Sequence, residues 1–220
     1  MIGPGTQSIP EGKMKLLQAS LRLVTSSRGI SSLGIRELAR EAGLNPNTFY
    51  RHFSDLDDFG LFVLECIASE VKRQVRRLRK AATTSDQAAH DSVYFVYEYF
   101  RANPAVVMVA VRELYGPSLV LRRALARQLE EMASEMADDV TDRQLVPQVN
   151  RTTVLDIART VVRFMLFRGM DYIEYPEQQK AIQQETERFL RRQFTGAMAE
   201  VLMPDLNATL AGSGKGQAGS

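Results

Sequence analysis

The sequence predicts an all-α fold, in which an N-terminal three-helix unit of the helix-turn-helix type precedes a larger helical domain, with about nine helices in all. Three observations lead to this prediction. Apolar residues recur at intervals of three and four along most of the chain. Glycine and proline sites, among them an Asn-Pro and a Gly-Pro pair, separate these segments. No alternating apolar and polar run bounded by turns predicts a strand.

The composition is typical of a soluble globular protein, with 220 residues of which 45% are hydrophobic and 25% charged. The longest apolar run is shorter than the ~20 residues that a membrane span needs, and the N-terminal segment lacks the apolar core of a signal peptide. The single cysteine, Cys66, cannot form an internal disulfide, which fits a reducing compartment. We therefore expect a cytoplasmic protein without a membrane partner.

No motif in the sequence predicts catalysis or metal binding. There are two histidines and one cysteine, so no clustered His/Cys metal site is visible and we expect neither a metal nor a cofactor. We find no nucleophile elbow, no glycine-rich phosphate loop and no histidine placed to act as a base beside Cys66. We expect no enzyme and no catalytic residues, and a helical hydrolase with a carboxylate pair is only a remote alternative.

Positive charge is concentrated at the N-terminal end. Residues 1–52 carry seven Lys/Arg against three Asp/Glu, a net of +4, whereas the remaining 168 residues carry 21 against 23, a net of −2. A basic end on an otherwise balanced chain is typical of a surface that binds phosphates.

The first helix is predicted over residues 11–28, with Gly29 as its end and Met14, Leu17, Leu21 and Val24 on one face. A second helix begins at Ile35, and Gly43 ends it because glycine enters the left-handed conformation at little cost.

The segment that follows Gly43 predicts a short recognition helix. The Asn45 side chain can cap this helix, and Pro46 suits its first position, whose N–H has no partner. A helix of about two turns must be held by packing, which Phe49 and Phe53 can supply. The polar residues left over are of the types that contact phosphates and base edges. They are Asn47, Thr48, Tyr50, Arg51 and His52.

The remaining segments are also predicted to be helical. Asp55 caps a long helix whose acids lie in its first turns and whose Lys/Arg lie in its last, as the helix dipole favours. Further helices are predicted over 86–102, 104–114, 118–140, 152–172 and 177–203. The domain boundaries follow as a mobile arm over 1–10, the helix-turn-helix domain over 11–54, the second domain over 55–206 and a disordered tail over 207–220.

The segment TSSRGISSLGIRELAREAGLNPNTFYRHFSDLDDFG resembles the N-terminal domain of the TetR family of bacterial transcriptional regulators, and the resemblance covers about residues 11–60. It implies a homodimer that binds double-stranded operator DNA, with a regulatory domain that closes on a small molecule. It also implies phosphate contacts from Tyr50 and His52, although either side chain could instead cap or pack locally. The candidate DNA-binding residues are Arg36, Asn45, Asn47, Thr48, Tyr50, Arg51 and His52.

One departure from the family pattern indicates a branch. Leu56 stands where the family commonly has a lysine that contacts phosphate, so Arg36 or the N-terminal arm would have to substitute. Together with the Asn-Pro break at 103–104 and the segments VRELYG and LRRALARQLEEMASEMAD, this resembles the repressors of unsaturated fatty-acid synthesis. The resemblance implies an acyl-CoA or another acyl thioester as the effector.

An effector cavity would have to be a gap among residues that are core by default. Methionine-rich apolar surroundings with few polar groups suit an acyl chain. Arg112, Glu113 and Arg168 lie within apolar stretches, where they either pair with one another or anchor a ligand. The candidate ligand-binding residues are Phe95, Tyr99, Phe100, Met108, Val111, Arg112, Phe164, Phe167 and Arg168.

The basic run from Lys72 to Lys80 has two interpretations. It is either a solvated helix end that complements the dipole, which the sequence favours, or a site for the anionic end of a CoA thioester.

The last two helices carry apolar stripes that are buried either within one subunit or, as the resemblance implies, in a dimer interface. The sequence therefore predicts a repressor that binds a pseudo-palindromic operator and responds to a fatty acyl-CoA or another hydrophobic small molecule. The alternative is a drug- or metabolite-responsive repressor of an efflux or catabolic operon.

Overall fold

The computed structural model describes residues 9–24 and 28–202, and every regular element in these two ranges is a helix. Nine α-helices and two short 3-10 turns, Ile30–Ser32 and Pro176–Gln178, make up this part of the chain. The α-helices are α1 (Glu11–Leu23), α2 (Ile35–Glu41), α3 (Pro46–Tyr50), α4 (Leu56–Ala81), α5 (Ser85–Ala102), α6 (Pro104–Leu114), α7 (Leu119–Asp142), α8 (Arg151–Glu174) and α9 (Gln179–Leu202). The prediction of an all-α fold is confirmed.

The N-terminal helices α1, α2 and α3 pack around one apolar core with the start of α4. Their fully buried residues come from all four helices and include Leu16, Leu38, Phe49 and Phe59. The prediction that α1 extends to residue 28 is wrong, because the helix ends at Leu23. The next residue, Val24, is extended and buried, and a β-branched side chain loses little by leaving a helix.

Gly29 has a different role from the predicted helix stop. A Cβ atom at this position would clash with Oε1 of Glu113 on α6. Glycine is therefore needed here because the backbone passes directly over a buried carboxylate, and this contact joins the N-terminal helices to α6.

The predicted caps are confirmed. Gly43 follows α2 with a φ of +67°. The Asn45 side chain accepts a hydrogen bond from the Asn47 N–H at 2.9 Å, and the Asp55 side chain accepts one from the Asp58 N–H at 2.8 Å. The recognition helix α3 has five residues, shorter than the two turns predicted.

The C-terminal helices form a second bundle in which α7 packs against both α4 and α8, while α5 packs against α4, α8 and α9. Two glycines allow close approach of helices within this bundle. A Cβ atom on Gly60 would lie 2.7 Å from the Leu121 methyl carbons, and one on Gly169 would lie 2.6 Å from the Phe100 ring. α4 thus touches α7 at Gly60, and α8 touches α5 at Gly169.

The last helix was predicted over residues 177–203, but its first part is a 3-10 turn that begins at Pro176. Residues 1–8, most of the predicted arm, and the predicted tail at 207–220 lie outside the described ranges, as does Met203. Across the described ranges, no single helix has the length and hydropathy to cross a membrane. The pair α6 and α7 reaches both only when counted together across a bend of 116°.

Candidate DNA-binding surface and ligand cavity

The recognition helix α3 is held in place by a cluster of aromatic rings. Phe49 is fully buried, and its ring centroid lies 5.6 Å from that of Phe53 and 5.8 Å from that of Phe59 at the start of α4. The Phe53 and Phe59 rings meet edge to face at 5.1 Å. This cluster stabilises a helix that is too short to form alone.

Most of the side chains predicted to contact DNA are exposed around α3. Tyr50 is 60% exposed, and Asn47 and Arg51 are also exposed. Asn45 is exposed as well, but its side-chain oxygen is engaged in capping α3. Exposed polar groups on and around a short helix form a surface that can contact phosphates and base edges.

Three of the predicted contact residues, Thr48, Arg51 and His52, also have neighbours within the protein. Thr48 is buried, and its Oγ1 accepts a hydrogen bond from an Arg51 guanidinium N–H at 2.9 Å, which fixes the direction of the arginine. His52 is half-buried, and its Nε2 would lie 2.6 Å from a Cβ atom on Gly12 of α1. Thr48 therefore positions Arg51, and His52 packs where α1 and α3 meet.

The outer face of α2 carries two arginines, Arg36 and Arg40, that form no ion pair with any described residue. They are four residues apart and exposed, so they lie on one face of the helix. By contrast, Arg22 pairs with Glu41 at 2.6 Å, and Arg28 makes a two-pronged contact with Glu37. Arg40 was not among the predicted contacts, although its spacing from Arg36 is visible in the sequence.

Glu37 stabilises the start of α2. Its carboxylate accepts hydrogen bonds from Arg28 and from the Gly34 N–H. The Arg28 guanidinium holds the pKa of Glu37 well below its usual range, at about 2. The charged carboxylate is thus favoured in the folded state.

A cavity of about 500 Å³ lies within the C-terminal bundle. Helices α4 to α9 all contribute to its wall, and most of the wall is aliphatic. Representative wall residues are Leu64, Ile67, Val93, Val106, Leu125, Met136, Val161 and Leu190. A cavity of this volume and composition suits a largely apolar small molecule.

Charged groups lie at two edges of this cavity. At one edge, Lys72 of α4 forms an ion pair with Glu131 at 3.0 Å, and the buried Arg79 pairs with Asp139 at 2.8 Å. At the other edge, between α5 and α9, His90 Nδ1 lies 2.9 Å from Glu187 Oε1. Two further polar groups, Ser92 Oγ and Gln128 Oε1, are buried in the wall without a hydrogen-bond partner.

Of the nine predicted ligand-binding residues, the structure brings Phe100 alone to the cavity wall. The aromatic residues outside the wall pack on one another. Phe95 stacks on Tyr99 at 5.9 Å, and Phe164 stacks on Phe189 at 4.5 Å. Phe167 is 41% exposed and approaches Tyr115. The remaining residues outside the wall are Met108, Val111, Arg112 and Arg168.

The three charged residues that the sequence placed in apolar surroundings do not pair with one another. Arg168 forms ion pairs with Asp171 and with Glu185. Arg112 is exposed. Glu113 is fully buried, and its Oε1 accepts a hydrogen bond from the Ser31 backbone N–H at 3.1 Å.

Sequence reasoning missed the α4 and α7 walls of the cavity because their aliphatic residues have the spacing of an ordinary core stripe. One signal was present. Lys72 and Arg79 belong to the basic run of α4 but lie seven residues apart, on the apolar side of the helix, and both reach the cavity wall. Among the described residues, no group of His, Cys, Asp or Glu is arranged to hold a metal ion.

Residues 16–59 match the family described as bacterial regulatory proteins, tetR family. This segment extends from α1 to the start of α4 and contains the helix-turn-helix with all seven predicted DNA contacts.

Solved structures share the whole architecture at low sequence identity. The fatty acid degradation regulator FadR from Bacillus halodurans has a TM-score of 0.69 at 11% identity, over 86% of this chain and 97% of that one. FadR from Bacillus subtilis, in complex with stearoyl-CoA, has a TM-score of 0.63 at 14% identity, over 83% and 98%. A TetR-family regulator from Streptomyces coelicolor has a TM-score of 0.64 at 20% identity, over 85% and 96%.

These likenesses establish a common fold from α1 to α9, and the matched segment establishes the DNA-binding motif. The match of residues 16–59 bears out the prediction of a transcriptional regulator rather than an enzyme. The N-terminal helix-turn-helix segment therefore matches the tetR family of bacterial regulatory proteins, and the rest of the described chain shares the fold of solved transcriptional regulators.

Proposed function

We propose that the protein is a cytoplasmic repressor that binds a pseudo-palindromic operator as a homodimer. A bound acyl-CoA or related acyl thioester changes its affinity for the operator. The observation that carries this proposal is the apolar cavity of about 500 Å³, because its wall is shared with α4. The same helix begins six residues after the recognition helix ends. Occupancy of the cavity can therefore bias the position of α3.

The proposed reading surface consists of Asn47, Thr48, Tyr50, Arg51 and His52, supported by Arg36 and Arg40 on α2 and by the Asn45 cap. Exposure and the absence of carboxylate partners at Arg36 and Arg40 support phosphate contacts. Arg51, directed by Thr48, is the candidate for a base contact. Arg36 and Arg40 would replace the phosphate contact that Leu56 cannot make.

The homodimer is proposed to form through α8 and α9, within an effector-binding and dimerisation domain that extends from Asp55 to residue 206. Large apolar side chains left exposed on these helices support this surface. Phe167 is 41%, Val201 48% and Leu202 65% exposed. A two-fold axis there would set the two α3 helices about one turn of DNA, ~34–36 Å, apart.

The effector is proposed to carry a fatty acyl chain and thereby to control genes of lipid metabolism. The aliphatic wall and the volume of the cavity support an acyl chain. The stearoyl-CoA complex of the Bacillus subtilis FadR offers a parallel in the same fold. The ligand shifts DNA affinity only to the extent that it binds the two arrangements of α4 differently, with a hinge near residues 55–60.

A second candidate is a repressor that senses a cationic drug or metabolite and controls an efflux or catabolic operon. Acidic residues in the cavity wall favour it, since Asp86, Glu135 and Glu187 can neutralise an organic cation. The two candidates predict different ligand preferences.

The test has two stages. Genomic fragments retained by the purified dimer are sequenced, and the recovered operator is used in fluorescence anisotropy at several salt concentrations. We expect an inverted repeat and a steep decrease in affinity with salt, because phosphate contacts release counterions. Binding without salt dependence, or a site without two-fold symmetry, would contradict the proposal.

In the second stage, thermal shift and anisotropy are repeated with saturated and unsaturated acyl-CoAs and with aromatic cations. We expect the acyl-CoAs to raise Tm and to change operator affinity. A response to the cations alone would favour the second candidate.

A further inference from the structure

The basic run of α4 forms an open groove directly beside the cavity. Five cationic side chains surround the groove together with Ser69 and Glu135, and we call this set the basic groove. The cations are Lys72, Arg73, Arg76, Arg77 and Lys80. Lys72 and Glu135 line the cavity as well, so the apolar space and the basic groove are continuous at these two residues.

The helix dipole explains the placement of only some of these cationic side chains. Its influence falls off within the last turn, which here contains Arg79 and Lys80. Arg79 is turned inward onto Asp139. Lys72, Arg73 and Arg76 lie one to two turns further from the helix end, where the dipole gives them little stabilisation.

The spacing of the cations is unfavourable for the unliganded helix. Arg73 and Arg77 are four residues apart, as are Arg76 and Lys80, and like charges at this spacing destabilise a helix. Neither Arg77 nor Lys80 forms an ion pair within the described part of the chain. A bound anion would remove this repulsion.

The acids nearby neutralise only part of the charge. Lys72 pairs with Glu131 and approaches Glu135, Arg73 pairs with Glu70, and Asp139 serves both Arg76 and Arg79. Six cations from Lys72 to Lys80 thus face four acids, a net of +2. The guanidinium of Arg143, which donates hydrogen bonds to the backbone carbonyls of Lys80 and of Ala82 just beyond α4, adds a further positive charge.

Operator DNA is not the partner of this groove. Residues 72–80 lie 16 to 24 residues beyond the start of α4 at Leu56, which places them ~24–36 Å along the helix from the recognition helix. An anion bound in this groove would therefore arrive with, or in place of, the molecule in the cavity.

We infer that the basic groove binds the phosphate groups of a CoA thioester whose acyl chain occupies the cavity, so that the site selects CoA thioesters over free fatty acids. This inference rests on the proposed acyl effector. Arginine is suited to the task because its planar guanidinium can form two hydrogen bonds with one phosphate. Lys72, shared by both spaces, marks the point where the chain leaves the apolar wall and the head group begins.

The test measures binding of five ligands to the full-length dimer by isothermal titration calorimetry. Palmitoyl-CoA carries chain and phosphates, palmitoyl-pantetheine carries the thioester without phosphates, and palmitate carries the chain alone. CoA supplies the phosphates without a chain, and lysophosphatidic acid supplies a phosphate from a lipid head group. Each ligand is titrated into the wild type and into the double variant Arg77→Gln/Lys80→Gln, which removes two unpaired charges.

A matched control removes two exposed charges that line neither space and form no ion pair with a described residue, Arg123→Gln with Lys180→Gln. We expect the groove variant to bind palmitoyl-CoA about tenfold more weakly, a size consistent with two partly exposed charge contacts. Palmitoyl-pantetheine should be unaffected, and the control variant should bind all ligands as the wild type does. The Tm of the unliganded groove variant should not fall, because like-charge repulsion is relieved, whereas a merely structural role would lower it.

Three results would overturn the inference while leaving the acyl effector intact. They are equal affinity of the wild type for palmitoyl-CoA and palmitoyl-pantetheine, unchanged palmitoyl-CoA binding in the groove variant, and preferential binding of lysophosphatidic acid. If no acyl compound binds the wild type at all, the proposed effector itself is wrong and the inference falls with it.

Discussion

The buried carboxylate of Glu113 on α6 accepts a hydrogen bond from the backbone N–H of Ser31, 82 residues earlier in the chain. Ser31 lies in the 3-10 turn that leads into α2, so this bond joins the C-terminal bundle to the DNA-binding helices. α6 also contributes Val106, Val109 and Ala110 to the cavity wall. One helix thus touches both the ligand space and the entry to the helix-turn-helix.

Replacing Glu113 with alanine should uncouple these two regions. The Ser31 N–H would lose its partner in a part-buried setting, at a cost of about 1 kcal/mol in the free energy of unfolding. Glu113→Gln keeps an acceptor oxygen and should cost less. The measurements are urea unfolding and operator affinity with and without ligand. If the ligand changes the operator affinity of Glu113→Ala as much as it does for the wild type, the bond does not carry the coupling.

Replacing Tyr50 with alanine should weaken operator binding about fivefold to tenfold, since one hydrogen bond to a charged phosphate is removed. Stability should change by no more than about 0.5 kcal/mol because the side chain is 60% exposed. Tyr94→Ala is the matched control, as it removes a tyrosine of similar exposure, 53%, from the C-terminal bundle. Equal operator affinity of the two variants in anisotropy titrations would exclude a phosphate contact by Tyr50.

Filling the cavity should abolish the ligand response without loss of DNA binding. Ala110→Phe adds a ring to the cavity wall, where the empty volume can accept it. Ala126→Phe places the same ring on the exposed face of α7, outside the wall, as a control. We expect the first variant to bind operator normally and to show no Tm increase with acyl-CoA. A normal ligand response in Ala110→Phe would locate the effector elsewhere.

The Arg28–Glu37 contact predicts a specific dependence of stability on pH. The folded-state pKa of Glu37 is lowered from 4.5 to about 2, so the carboxylate stabilises the folded state fully above pH 4.5. This stabilisation declines as the pH falls from 4.5 towards 2, where the folded form also becomes protonated.

Comparison of the wild type with Glu37→Gln isolates this effect. The Tm difference between the two proteins should be constant near neutral pH and should shrink below pH 4.5. A difference that does not change over this range would show that Glu37 acts through packing rather than charge. Glu41, which lies on α2 with Glu37, keeps its ion pair with Arg22 of α1 in both proteins.

Local chemistry made the N-terminal unit predictable. The left-handed Gly43, the Asn45 cap and the aromatic pair Phe49 and Phe53 each follow from nearby residues, and all three are confirmed. Gly29 was misread because the reason for it, Glu113, is more than 80 residues away. Contacts at such distances leave no periodic signal in a single sequence.

The cavity was not predictable, because an internal void depends on the packing between several helices that are distant in sequence. Tyr99 and Phe100 are neighbours on α5, yet Phe100 reaches the cavity wall whereas Tyr99 stacks on Phe95. Tyr99 is half-buried as a residue, but its hydroxyl is buried, and this burial raises the pKa of Tyr99 to about 12. Residue type indicated an apolar interior at both positions and could not indicate which one borders empty space.

The closed aromatic cluster beneath α3 has a consequence for how such a regulator diversifies. Phe49, Phe53 and Phe59 hold the helix from below, while Asn47, Tyr50 and Arg51 project from it without entering the core. If these side chains read the operator, as proposed, substitutions at those three positions should change the preferred operator at almost no cost in folding. In the C-terminal bundle many residues of the cavity wall are also buried core residues, so under the proposed function new operators should arise in evolution more readily than new effectors.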